Sequence, residues 1–89
     1  MEKLTAKEDE IMTFFWKKGA MHVKELIELY PDPKPHFNTV STMVRALEAK
    51  GFLSHHKFGY TYQYYPVVTP GEFGEGKLNG VINKYFENS

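Results

Sequence analysis

Four polar residues with short or planar side chains recur at helical spacing in the middle of the chain. They are Asn38, Ser41, Thr42 and Arg45, at positions i, i+3, i+4 and i+7. Side chains of this kind let a helix lie close in a DNA major groove about 12 Å wide, where Arg pairs with guanine and Asn with adenine. The same stripe is also compatible with an ordinary solvated helix face, on which Ser, Thr and Asn cap the first turn.

The sequence contains no constellation that supports catalysis or metal binding. The chain has no cysteine, which excludes a disulfide scaffold, a thiolate zinc site and a cysteine nucleophile. His55 and His56 are adjacent in a predicted strand, so they point to opposite faces and do not share a metal. Ser41 and Ser54 have no visible His and Asp partners. We therefore predict a protein that is not an enzyme and has no cofactor.

Three predicted helices position the polar stripe. A capping box, Thr-x-x-Glu, opens the first helix, and apolar residues recur every three or four positions along the second. Three prolines in a stretch of five residues then form a stiff turn before the third. A glycine directly after the first and third helices is a typical stop. The predicted helices cover about residues 5–18, 23–30 and 36–50.

The hydrophobic period changes after the third helix. Aromatic residues and threonine flank a central Gly59, which predicts a β-hairpin over residues 53–65. A second capping box then opens a last helix over residues 70–87, which has an apolar stripe despite its glycines. We therefore predict a mainly α fold with a small hairpin. It is a winged helix-turn-helix with a three-helix core and a wing over residues 1–68, followed by a C-terminal helix within residues 69–89.

The formal net charge of zero conceals an uneven distribution along the chain. Lys and Arg number 11, as do Asp and Glu, but residues 34–64 contain four of the cations and one acid. A basic centre between acidic flanks favours a polyanionic partner, although a stretch of this charge also arises by chance. No run approaches the roughly 20 apolar residues that span a bilayer, and the N-terminus has no signal-peptide core. We expect a cytoplasmic protein without a membrane partner.

Three parts of the chain resemble the penicillinase-repressor family of the BlaI/MecI/CopY type. They are Leu4-Thr5 with Glu8, Glu10-Ile11-Met12 and Trp16; the run from Asn38 to Leu53; and Gly59, Tyr62 and Tyr64 followed by Pro66-Val67-Val68-Thr69. The middle run is the most specific, and the resemblance covers residues 4 to about 86. It implies a bacterial transcriptional repressor with a winged-helix DNA-binding domain, acting as a homodimer on a palindromic operator.

The resemblance also assigns roles to individual positions. It places DNA contacts on the third helix and at the wing tip, and the polar stripe adds two more. The candidate DNA contacts are Asn38, Thr39, Ser41, Thr42, Arg45, Lys57 and Tyr60. The dimerisation contacts of the family fall in the last helix, on Phe73, Leu78, Val81, Ile82, Tyr85 and Phe86. Many relatives carry Arg directly after the wing glycine, where this chain has Tyr60.

Family members usually continue beyond the position of Ser89 through the rest of the dimerisation region. In the penicillinase branch that continuation is cut by a sensor protease, which is therefore a further partner that the resemblance implies. In the copper branch it holds a cysteine motif. The inducing signal, the operator sequence and the regulated genes do not follow from the residues present.

Two functions from different classes remain open on the sequence. The first is a sequence-specific repressor with helix 36–50 in the major groove and hairpin 53–65 as the wing. The second is a winged-helix module that binds a protein through helix 70–87. Val81→Asp or Tyr85→Asp discriminates between them, because either change should abolish protein binding and leave the DNA affinity of one copy mostly intact.

Overall fold

The computed structural model describes residues 3–71. The predicted last helix and the dimerisation contacts from Phe73 to Phe86 lie outside these residues, so they and the division of the chain at residue 69 remain predictions. The described elements, in chain order, are α1 (Ala6–Lys18), β1 (Met21–His22), α2 (Val23–Glu28), α3 (Phe37–Ala49), β2 (Leu53–Phe58) and β3 (Thr61–Pro66).

The first helix forms as its capping box predicts. The Thr5 hydroxyl accepts a hydrogen bond from the Glu8 backbone N–H at 3.1 Å, and the Glu8 carboxylate accepts one from the Thr5 N–H at 3.0 Å. Gly19 ends the helix at φ +84°, a backbone conformation that side chains disfavour. Its N–H donates to the Phe15 carbonyl. Both ends of α1 are therefore set by local sequence.

The second helix is two residues shorter than predicted. The amides of Leu29 and Tyr30 donate to carbonyls only three residues back, at 3.0 and 3.1 Å, so the chain tightens after Glu28. The cause is Pro31, which disfavours the α conformation of the residue before it.

The third helix ends in a paired set of backbone hydrogen bonds. The Gly51 N–H donates to the Glu48 carbonyl at 3.0 Å, and the Phe52 N–H donates to the Leu47 carbonyl at 2.9 Å. Gly51 has φ +89°, and the Phe52 side chain behind it is fully buried. These are the bonds of a Schellman motif with its hydrophobic contact, as the sequence predicts.

The predicted hairpin is confirmed, and it belongs to a larger sheet. Strands β2 and β3 are antiparallel, and Phe58 lies opposite Thr61 across a turn at Gly59 and Tyr60. The short strand β1, which the sequence analysis did not predict, pairs with the other edge of β3, so the strand order is β1-β3-β2. A two-residue strand carries no detectable period, and for this reason Met21 and His22 gave no signal.

The core lies between the three helices and the inner end of the sheet. Its members are apolar residues of the helices, of the sheet and of the segments next to them, together with one tyrosine. They are Ile11, Met12, Phe15, Met21, Leu26, Val40, Val44, Leu47, Phe52, Leu53, Tyr64 and Val68. The fold is the predicted winged helix-turn-helix, with three helices and a small antiparallel sheet. Among residues 3–71, no helix has the length and apolar character needed to cross a membrane.

Candidate nucleic-acid interface

The outer face of α3 exposes most of the predicted polar stripe. Asn38, Thr42 and Arg45 are exposed, and so is Thr39 beside them. Val40 and Val44 on the opposite face are fully buried, so packing against the core fixes the rotation of the helix. The helix therefore presents a polar surface whose orientation follows from its apolar face.

Ser41 departs from the predicted outward stripe, because it is only 9% exposed. Successive residues of a helix are rotated by about 100°, so Ser41 lies next to buried Val40 at the edge of the apolar face. Its hydroxyl makes no hydrogen bond with another described residue. The prediction that all four stripe residues face outward is thus wrong for Ser41, which faces a cleft between α3 and the wing.

The hydrogen bonds within the stripe limit what each side chain can offer. The Thr42 hydroxyl donates to the Asn38 carbonyl at 2.9 Å, so its remaining lone pairs can only accept. The side chains of Asn38 and Arg45 make no hydrogen bond or ion pair with any of residues 3–71. Asn38 is therefore not a cap, and the helix begins after His36, whose side chain also makes no capping bond. Unpaired amide and guanidinium groups leave full hydrogen-bonding capacity for a partner.

The tip of the wing carries one cation and several exposed aromatic rings. Lys57 and Tyr60 are exposed as predicted, and Tyr60 protrudes completely, at 104% relative exposure. Phe58 and Tyr62 are about half exposed, and the rings of His56 and Tyr65 stack with centroids 4.7 Å apart. The wing of this chain therefore presents an aromatic edge, with Lys57 as its exposed ammonium group.

Two side-chain hydrogen bonds join the wing to the helices. Nδ1 of His55 lies 2.7 Å from a Glu48 carboxylate oxygen, which links β2 to α3. Nδ1 of His22 lies 2.9 Å from the Tyr62 carbonyl, which links the start of α2 to β3. Burial raises the pKa of the nearby Tyr64 hydroxyl, and the Glu48 carboxylate raises it further. Neither link follows from the sequence, because each joins residues that meet only in the folded chain.

A cleft of about 300 Å³ separates α3 from the wing. Phe37, Ser41 and Arg45 line it from α3, while residues from β1, α2 and the wing hairpin form the other walls. Three predicted DNA contacts, Ser41, Arg45 and Tyr60, therefore share one concave surface. The structure also brings Lys24 of α2 to this cleft, a residue that the sequence analysis did not select.

An exposed polar helix face beside a hairpin with a cationic tip defines a winged helix-turn-helix protein of the nucleic-acid-binding class. Comparison with known proteins agrees with this class. The solution structure of the DNA-binding domain of the repressor BlaI is 32% identical, with a TM-score of 0.67 over 81% of this chain and 93% of that chain.

Sequence comparison identifies the family. A family model described as penicillinase repressor matches residues 4–89, so the chain belongs to the penicillinase repressor family. The penicillinase repressor of Bacillus licheniformis is 28% identical over 98% of this chain and 69% of its own length. The methicillin resistance regulatory protein MecI of Staphylococcus aureus strain N315 is 27% identical over 96% of this chain and 70% of its own length. The family comprises transcriptional repressors with a DNA-binding fold, and not enzymes.

Proposed function

We propose that this protein represses transcription by binding a specific sequence in double-stranded DNA, with α3 in the major groove. The observation that carries the proposal is the outer face of α3. It combines an unpaired amide, an unpaired guanidinium and an accepting hydroxyl on one rigid surface, from Asn38, Arg45 and Thr42. These groups match the donors and acceptors that base edges present in the major groove.

The first turn of α3 adds a site for the DNA backbone. The amides at the start of any helix lack carbonyl partners within it, and His36 supplies no side-chain cap here. The exposed Thr39 hydroxyl lies in the same turn. A phosphate oxygen at this position would accept from both and would gain from the positive end of the helix dipole. Contacts of this kind fix the register of the helix and leave base recognition to Asn38 and Arg45.

The electrostatic character of the surface supports an anionic partner. Glu48 is the one acid of α3, and its carboxylate oxygen lies 2.7 Å from Nδ1 of His55. Glu8 contacts the C-terminal end of the same helix, where Lys50 neutralises it. Arg45 on the helix and Lys57 on the wing have no ion-pair partner among residues 3–71. A phosphate backbone would therefore meet cations that are not already neutralised.

The wing is expected to contact DNA differently from a wing that inserts an arginine. Lys57 offers a single charge to a phosphate, and Tyr60 offers a fully exposed ring and hydroxyl. A tyrosine at this position suits van der Waals contact with a sugar and a hydrogen bond to a phosphate. We therefore expect the wing to add affinity and to contribute little base preference.

The repressor is further proposed to act in the bacterial cytoplasm as a homodimer on a palindromic operator. The family resemblance supports this part, and the predicted contacts between copies lie from Phe73 to Phe86. Two copies on one operator gain affinity through effective concentration, which suits a domain with few cations. A sensor protease, as the resemblance implies, would act on the same pathway.

Selection of bound duplexes from a random pool tests the proposal. Wild-type protein should enrich one palindromic sequence, with half-sites separated by one or more helical turns of about 34–36 Å. The selected duplex should bind more tightly than a scrambled duplex at every salt concentration. Equal binding of selected and scrambled duplexes would refute sequence-specific repression.

Two variants that each remove one cation test whether binding depends on α3 in particular. Arg45→Ala should weaken binding to the selected duplex by roughly 1–3 kcal/mol. Lys18→Ala removes an exposed cation from the last turn of α1 and should change affinity much less. Equal losses in the two variants would indicate that net charge alone drives binding.

A further inference from the structure

We infer that the cleft between α3 and the wing binds a small aromatic carboxylate, which competes with DNA. The inference has a binding half, that the cleft holds the ligand, and a regulatory half, that the ligand competes with DNA. Only the regulatory half rests on the proposed DNA binding. The cleft has a volume of about 300 Å³ and is open to solvent on one side. That volume is at the lower end of the range of about 300–1,000 Å³ found for small-molecule sites, so a ligand of one or two rings fits.

The walls of the cleft favour a flat apolar body. Phe37, Tyr60 and Tyr62 present rings from two different elements, and Val23 adds an aliphatic side. Phe37 and Tyr62 are large apolar side chains, yet each is about half exposed and is not packed into the core. Aromatic walls bind aromatic ligands through offset or edge-to-face contacts, which gain more than area alone. Three of the five large apolar side chains that are exposed among residues 3–71 thus line the cleft.

The charges around the cleft favour a carboxylate. Lys24 and Arg45 line it from two helices, and no Asp or Glu does so among residues 3–71. Neither cation forms an ion pair with a described residue. An arginine fork can hold a carboxylate with two parallel hydrogen bonds, which is the stronger form of such a contact. The net charge of the lining therefore selects an anion over a neutral or cationic ligand.

Ser41 supplies a polar group that the protein itself does not use. The residue is nine-tenths buried, its hydroxyl has no hydrogen-bond partner among the described residues, and it lines the cleft. No buried side-chain nitrogen or oxygen atom among residues 3–71 lacks a partner, so the unpaired Ser41 hydroxyl is accessible from the cleft and free to bond a ligand there. A carboxylate held by Arg45, one helical turn away, is well placed to accept from it.

Occupation of the cleft would remove groups that DNA needs. Arg45 and Tyr60 are proposed DNA contacts and also line the cleft. A carboxylate on Arg45 neutralises its charge and uses the hydrogen bonds meant for a base or phosphate. The ligand and the operator therefore compete, and a metabolite of this class would release the repressor without cleavage of the chain.

Titration of the ¹⁵N-labelled chain with 2-naphthoate, followed by amide chemical shifts, tests the binding half. We expect a dissociation constant of about 1 mM or tighter, with the largest shifts near Ser41 and Tyr62. 2-Naphthalenemethanol has the same rings without the charge, and acetate has the charge without the rings. Both should bind at least about tenfold more weakly, because charge-assisted hydrogen bonds and ring contacts are each lost in one of them.

Variants assign the site to the cleft. Arg45→Gln and, independently, Lys24→Gln should each weaken 2-naphthoate binding, the former by about tenfold. Lys18→Gln on α1 should leave binding unchanged. Both cleft cations are exposed, and the amide spectrum of each variant shows directly whether the fold persists. Absent shifts at 10 times the expected constant (about 10 mM), shifts away from the cleft, or equal binding of the neutral alcohol would each overturn the inference.

Competition with the selected duplex tests the regulatory half. Saturating 2-naphthoate should raise the apparent dissociation constant for DNA at least about tenfold, since the two sites share Arg45. Ligand binding without an effect on DNA would overturn this half and leave the binding site in place. If the repressor proposal itself is wrong, the selection from random duplexes, which uses no ligand, will enrich no sequence. That result is distinct from any result of the competition experiment.

Discussion

The two ends of α3 differ in how they treat polar groups. At the C-terminal end, Lys50 donates to the buried Glu8 carboxylate at 2.7 Å, and Glu8 also completes the capping box of α1. At the N-terminal end and along the outer face, Asn38 and Arg45 have no partner among the described residues. The paired C-terminal end stabilises the fold, while the unpaired N-terminal end and outer face keep their hydrogen-bonding capacity for a ligand.

This contrast separates stability from recognition along a single helix. A buried charge costs several kcal/mol unless it is paired, so the Glu8–Lys50 contact cannot be lost without a penalty. An exposed and unpaired side chain costs little in the free protein, because water satisfies it. Substitutions at the two ends should therefore move different measurable quantities.

The largest expected effect is on stability, at the paired end. Phe52→Ala should lower the free energy of unfolding by roughly 3–5 kcal/mol, because it empties a fully buried site behind the Schellman motif. Urea unfolding followed by circular dichroism measures the change. Phe58→Ala removes the same side chain from a site that is 53% exposed and should cost about 0.5 kcal/mol or less. Equal losses would show that the wing belongs to the same cooperative core.

The next effect depends on pH. Burial would raise the pKa of Glu8, but the Lys50 ammonium and the Thr5 backbone and hydroxyl groups together hold it below its ordinary value of 4.5. A lowered folded-state pKa stabilises the protein above the unfolded-state value, and this contribution is lost as pH falls through the folded-state value. Glu8→Gln should therefore lower stability by roughly 1.5–3 kcal/mol at pH 7.

The difference between wild type and Glu8→Gln should shrink below about pH 4.5. Unfolding curves at several pH values measure it. Glu10→Gln removes an exposed carboxylate from the same helix and provides the control. A Glu8→Gln deficit that stays constant down to acid pH would mean that the side chain acts through packing and not through its charge.

A third variant should change DNA recognition and leave the stability of the protein unchanged. Asn38→Ala should weaken binding to the selected duplex by roughly 1–3 kcal/mol and relax the preference at one base position. Its free energy of unfolding should stay within about 0.5 kcal/mol of wild type, because the side chain has no partner in the fold. Binding to a scrambled duplex, measured in parallel, should be nearly unchanged. A matching loss on the scrambled duplex would make Asn38 a backbone contact.

The smallest effect is expected at the wing tip. Lys57→Gln should reduce the slope of log affinity against log salt by about 0.9, the value for one phosphate contact. Lys17→Gln on α1 should leave the slope unchanged. An unchanged slope for Lys57→Gln would remove Lys57 from the interface and leave the aromatic residues as the wing contact.

The sequence is informative wherever local rules decide the structure. The Thr5 capping box, the glycine stops and the hairpin around Gly59 each depend on residues within about five positions, and each forms as predicted. The length of α2 was overestimated, because the apolar period continues to Tyr30 while Pro31 already constrains the backbone.

Most of the features that the sequence could not reveal join distant residues. The Glu8–Lys50 pair spans 42 positions, and the His22–Tyr62 hydrogen bond spans 40. The burial of Ser41 depends on which side of α3 the wing covers, and helical spacing alone does not fix that side. The cleft is formed by β1, α2, α3 and the wing hairpin together, so it becomes visible only in the folded chain.

The pairing of β3 on both edges has a consequence for the DNA partner. Strand β1 leads directly into α2, so main-chain bonds and the His22–Tyr62 contact tie the wing to the helix that supports α3. The wing cannot swing toward DNA without breaking these bonds. We therefore expect the duplex to supply the bending or groove narrowing that a close fit requires. Base steps that deform easily, such as TA and CA, should then be favoured where the protein touches no base.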